Sequence, residues 1–204
     1  MADHIGVESD GAEPGMRRII AVVALLNLAY FGVEFAVAAA IGSVSLFADS
    51  VDFLEDTSLN FLVLLALGWS AKRRAAMGAL LGAVLLAPGI ATIWTAWDKF
   101  LDPLAPAALP LSLAGLGALA VNSLCALLLA RFRAAGGSLT RAAFLSARND
   151  ALANIAIIGA GVLTAYTLSP WPDLAVGLAI FAMNLDAARE VWQAAHREYR
   201  GAAP

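Results

Sequence analysis

The sequence predicts an all-α membrane protein of six transmembrane helices with both termini cytoplasmic, and three observations carry that prediction. Hydrophobic residues make up 61% of the chain against 14% charged, and mean hydropathy is +0.77. Six apolar windows each approach the roughly 20 residues that a bilayer core of about 30 Å requires. Drawing six spans places nearly all basic residues on one face. Such a composition is not that of a soluble domain. A net charge of −3, with basic residues only in short clusters, leaves no footprint for nucleic acid.

The elements follow in order. A polar tail over residues 1–16 ends before Arg17 and Arg18, with no small-residue cleavage site of a signal peptide after a short apolar stretch. The six-helix region spans 17–192, with helices expected over 19–41, 46–69, 75–98, 109–131, 142–166 and 173–192, followed by a short cytoplasmic tail over 193–204. The breaks carry turn chemistry: IGSVS, SAKRRA, the proline-rich LDPLAPAALP, RFRAAGGS and SPWP. In span three, Gly78 and Gly82 form a close-packing pair and Pro88-Gly89 a kink. The single cysteine, Cys125, precludes a disulfide or a cysteine-based zinc site within one chain.

Orientation rests on the charges. Arg17, Arg18, Lys72, Arg73, Arg74, Arg131, Arg133, Arg141, Arg189, Arg197 and Arg200 share one side, which the retention of positive charge in cytoplasmic loops makes the inner one. Lys99 alone falls opposite, and Arg148 lies within span five. Trp69 and Trp192 sit at inner helix ends and Trp94, Trp97 and Trp171 at outer ones, as interfacial belts require. The expected location is the cytoplasmic (inner) membrane.

Span two opens with FADSVDFLED, which carries Asp49, Asp52, Glu55 and Asp56. A charge at mid-membrane costs about 2.5 to 3.5 kcal/mol, so three uncompensated carboxylates would cost on the order of 10 kcal/mol. At 100° per residue, Ser45, Asp49, Asp52, Asp56 and Asn60 fall on one narrow face and Glu55 stands to one side. Span five repeats the ladder as Ser146, Asp150 and Asn154. Counted from the inner ends of upright helices, Asp56 and Asp150 share a level, Asp52 faces Asn154, and Asn60 faces Ser146. Such an oxygen cage suits a divalent cation. Protons can replace the ion when it leaves, which makes metal–proton exchange the expected chemistry. A structural cluster of hydrogen-bonded acids is the competing reading. Asp49 is expected near the mouth or as a helix cap. Glu34 and Asn27 share a face of span one, and Arg148 is expected to pair with Glu55 or Glu34 or to snorkel.

The stretches GSVSLFADSVDFLED, AAFLSARNDALANIAII and WPDLAVGLAI, in that order and spacing, resemble the cation diffusion facilitator family of divalent-metal/proton antiporters. The resemblance covers the six-helix part of such proteins. It implies a metal site from two residues four apart on the second helix and two on the fifth: Asp52 and Asp56, then Ser146 and Asp150. Family members often have histidine where Ser146 stands, and the two histidines here, His4 and His196, are expected outside the membrane. The fourth ligand is left to Ser146, Asn149 or a water, while Asp49, Asn60, Asn154 and Glu34 are candidates for an ion path or secondary site. An all-oxygen shell favours manganese, iron or cobalt more than an imidazole-containing one does. The resemblance itself puts zinc and cadmium first.

The implied function is export of Zn2+ or Cd2+, with Co2+, Mn2+ and Fe2+ as alternatives, in exchange for protons. The metal is the substrate, no organic cofactor is expected, and the protein is not an enzyme. Many relatives continue into a cytoplasmic domain that dimerises. A short member lacking it, and lacking the family's His-rich loop, is expected to form a homodimer through its membrane helices. Two other readings stand beside export. One is a metal-binding membrane subunit or sensor without transport, motivated by Ser146 and the missing domain. The other is an intramembrane hydrolase with Asp56 and Asp150 as a carboxylate dyad, for which no GxGD signature is present.

Overall fold

The computed structural model describes residues 14–66, 89–130 and 137–184, all helical apart from short turns. The helices are α1 (Pro14–Ile41), α2 (Val44–Ala66), α3 (89–101), α4 (Ala108–Ala130), α5 (Gly137–Thr167) and α6 (171–184). Residues 1–13 of the N-terminal tail, the C-terminal tail, the Gly78/Gly82 pair, Pro88, the ends assigned to spans two and six and the start of span three lie outside the described residues, while residues 14–16 of the tail open α1.

Local chemistry sets the ends. Pro14 occupies the first helical position of α1, where its missing N–H is no loss. Gly42 then takes a φ of 64°, a left-handed conformation that favours glycine, and the Ser43 N–H bonds the Ala38 carbonyl at 3.1 Å. Ser43 caps the next helix at once, its Oγ accepting from the Leu46 N–H at 3.2 Å. Two residues therefore reverse the chain between α1 and α2. Leu168, at φ 51°, closes α5 with its N–H on the Thr164 carbonyl at 2.9 Å.

α1 packs along α2 and α4, and α5 packs along α4 and α2. Ala38, Leu46, Phe47, Ala48, Leu111, Ala114, Ile157 and Ile180 form a core that draws on five helices, while Val23, Cys125 and Leu129 form a second one between α1 and α4. Large apolar side chains face outward, among them Trp94 at 71% exposure and Leu127 at 69%. Asn27, Glu34, Asp49, Asn122 and Asn154 are buried instead. Polar interior and apolar exterior is the arrangement that lipid selects. By length and composition, α1, α4 and the Arg148–Thr167 part of α5 can each cross a membrane. α2, of similar length, is interrupted by its four acids. The protein is an all-α membrane protein.

Three expectations change. α3 continues past residue 98 to 101, so Lys99 is a buried helical residue and not part of a loop. α5 starts at Gly137, ahead of the expected 142, since a polar first turn extends the helix beyond its apolar part. Of the two alternatives for Arg148, the ion pair to Glu55 or Glu34 is not formed: the residue is exposed, as snorkelling requires, and donates to Asn149 Oδ1 at 3.4 Å.

Candidate metal centre

α2 presents its polar face to α1, α4, α5 and α6 at successive levels. Beyond Ser45, three of its hydroxyls bond within the helix: Ser50, Thr57 and Ser58 donate to the carbonyls of Phe47, Phe53 and Leu54 at 2.7 to 2.8 Å. Its carboxylates reach across the bundle.

The upper level holds Asp49. Asn154 of α5 donates from Nδ2 to Asp49 Oδ2 at 2.5 Å and accepts at Oδ1 from Asn122 Nδ2 of α4 at 3.0 Å. Glu34 of α1 brings its carboxyl within hydrogen-bonding reach of Asp49. All four residues are buried, and both Glu34 oxygens and Asp49 Oδ1 have no donor. Two carboxyls in contact bond each other only with a proton between them. Asn27, on the same face of α1, accepts from Cys125 Sγ–H at 3.7 Å.

The lower level is a cavity of about 170 Å3 lined by Asp52, Glu55, Asp56, Asn149, Asp150, Met183 and Asn184. One water needs roughly 10 to 15 Å3 of such space, so an ion with several waters fits. Among the described residues, no three His, Cys, Asp or Glu side chains are already gathered tightly enough to enclose an ion. The carboxylates instead surround a space.

The structure thus brings Asp52, Asp56, Asn149 and Asp150 to one cavity, while the side chain of Ser146 lies outside the described ones. Asn60 turns to its own helix, donating to the Asp56 carbonyl at 2.7 Å. Asn154 faces Asp49 where Asp52 was expected, so the two ladders slip by one turn. Counting from span ends assumes upright helices of equal depth, whereas docking of the α2 N-terminus on α6 and packing of α5 along α4 set the actual heights. Asp49 is accordingly a buried hydrogen-bonded residue and caps no helix. Glu55, expected to face away, lines the cavity because α6 widens the space beyond one face of α2. Met183 and Asn184 were missed, although Asn184 is a polar interruption in an apolar helix. Its Nδ2 is buried without a partner.

Asp173 was missed too. This buried residue in the first turn of α6 accepts from Ser43 Oγ at 2.7 Å, Val44 N at 2.9 Å, Ser45 Oγ at 2.6 Å and Ser45 N at 3.2 Å. Lys99 Nζ of α3 pairs with it at 3.0 Å. One turn on, a Cβ at Gly177 would stand 2.6 Å from Ser45 N and from the Val44 carbonyl carbon, so only glycine permits this approach. The proline at the helix start followed by an acid, and the lone basic residue on the far face, were the available signals.

No curated protein matches the chain closely enough to count. The model of the cation efflux transmembrane domain matches residues 20–194. That span takes in most of α1, the other five helices and both polar ladders, and the chain belongs to the cation efflux family, a family of membrane transporters for divalent cations.

Proposed function

We propose that the protein exports Zn2+ or Cd2+ from the cytoplasm in exchange for protons, with Co2+, Mn2+ and Fe2+ as further substrates, and that the cation binds in the cavity between α2, α5 and α6. The observation that carries this reading is that Asp52, Asp56 and Asp150, from antiparallel helices, line one small space with Asn149. Several carboxylates gathered around one cavity within the membrane domain suit a divalent cation, which supplies positive charge to all of them at once. Binding draws the side chains inward onto the ion, with Ser146, Asn149 or a water completing the shell. Protons return to the carboxylates as the metal departs, which couples the two fluxes.

In this reading the Arg17/Arg18 end of α1 is cytoplasmic, the α1–α2 turn faces outward, and the protein acts in the inner membrane as a homodimer joined through its helices. Reconstituted liposomes test it. Zn2+, Cd2+, Co2+ and Mn2+ uptake should follow an imposed pH gradient, and Asp56→Ala or Asp150→Ala should abolish it. Normal flux in both variants would sink the site, and binding without flux in the parent would favour a sensor.

A further inference from the structure

Asp173 joins three helices through one carboxylate. It lies in the first turn of α6, takes the first N–H groups of α2, and pairs with Lys99 near the end of α3. Two positive helix ends and one cation therefore converge on a single buried anion. A buried ion pair adds little net stability compared with apolar packing. Polar contacts nevertheless suit a joint that must separate, because its parted groups can be rehydrated.

Position adds a second argument. Asp52 and Asp56 follow Ser45 along α2 by about 11 and 17 Å, and Asn184 follows Asp173 along α6 by about 17 Å, at 1.5 Å per residue. The cavity therefore lies about two to three helical turns below the joint. Between them Glu34, Asp49, Asn122 and Asn154 are buried, whereas Arg148 and Asn149 on the opposite side are exposed. The route from the joint to the cavity is therefore closed on the Asp173 side.

We propose that Asp173, Lys99, Ser43 and Ser45 form the outer gate of the transport path, shut in this structure and opened to release the cation outward. The inference rests on the transport reading above. Asp173 and Lys99 are positioning residues in it and do not touch the ion.

The test uses the full chain in liposomes on a Cys125→Ala background, with Ser45→Cys and Asp173→Cys joined by a one-carbon bis-thiosulfonate linker. Zn2+ flux should fall at least ten-fold on linking and return on reduction, while Zn2+ affinity in detergent stays within two-fold. Flux that is indifferent to linking would overturn the gate. Absence of flux in the parent chain would instead overturn the transport reading. A second assay does not depend on flux: a membrane-impermeant thiol reagent added outside labels Ser45→Cys alone. Adding Lys99→Met should raise the labelling rate at least five-fold, and an unchanged rate overturns the gate even where the cysteine pair fails to fold.

Discussion

Asn154 of α5 is held between Asp49 of α2, to which it donates at 2.5 Å, and Asn122 of α4, from which it accepts at 3.0 Å. This chain fixes the height of α5 against α2 and hence which acids meet in the cavity. Asn154→Leu should leave Asp49 Oδ2 and Asn122 Nδ2 unpartnered, at roughly 1 to 3 kcal/mol for each orphaned group. Unfolding in mixed detergent measures the loss, and a variant as stable as the parent would show that the register is held elsewhere.

The cavity acids should differ in weight. Asp52→Asn, Asp56→Asn and Asp150→Asn are each expected to lower Zn2+ affinity at least ten-fold by titration calorimetry. Glu55→Gln, from the same cavity wall, is expected to lower it at least three-fold. Unchanged affinity in Glu55→Gln would restrict the ligands to the Asp52/Asp56 and span-five set.

The buried, donor-less oxygens of Glu34 and Asp49 are expected to share a proton, a role that an amide can take over. Glu34→Gln offers an N–H to Asp49 Oδ1 and should match or exceed the parent by about 1 kcal/mol. Glu34→Leu removes the partner and should be the less stable of the two. Thermal unfolding in detergent ranks them, and the reverse order would rule out a shared proton.

Gly177 tests the docking of α6 on α2. A methyl there meets backbone atoms at 2.6 Å, and backbone cannot step aside as a flexible side chain can. Gly177→Ala is expected to destabilise by about 1 to 3 kcal/mol, and Gly177→Val by more. A Gly177→Ala protein with parental Tm would mean that α6 can move off α2 at no cost.

Much of this was legible along the chain. The Gly42–Ser43 turn, the polar face of α2 and its echo in α5 are local patterns, because helical periodicity and turn chemistry act over a few residues. The acids of span two stood out because lipid excludes them. Glu55 was misassigned because face angles describe one helix, while the cavity is bounded by three.

The sequence by itself determined the class of protein, the composition of its interior and the acids from which a cation site can be built. Only the tertiary structure decided which of them meet. It placed Asn154 opposite Asp49, brought Glu55 and Asn184 to the cavity, and joined Lys99 to Asp173 across 74 positions of sequence. The reason is physical: periodicity sets the direction a side chain takes from its own helix, but depth and tilt depend on how helices dock, and docking is a property of pairs.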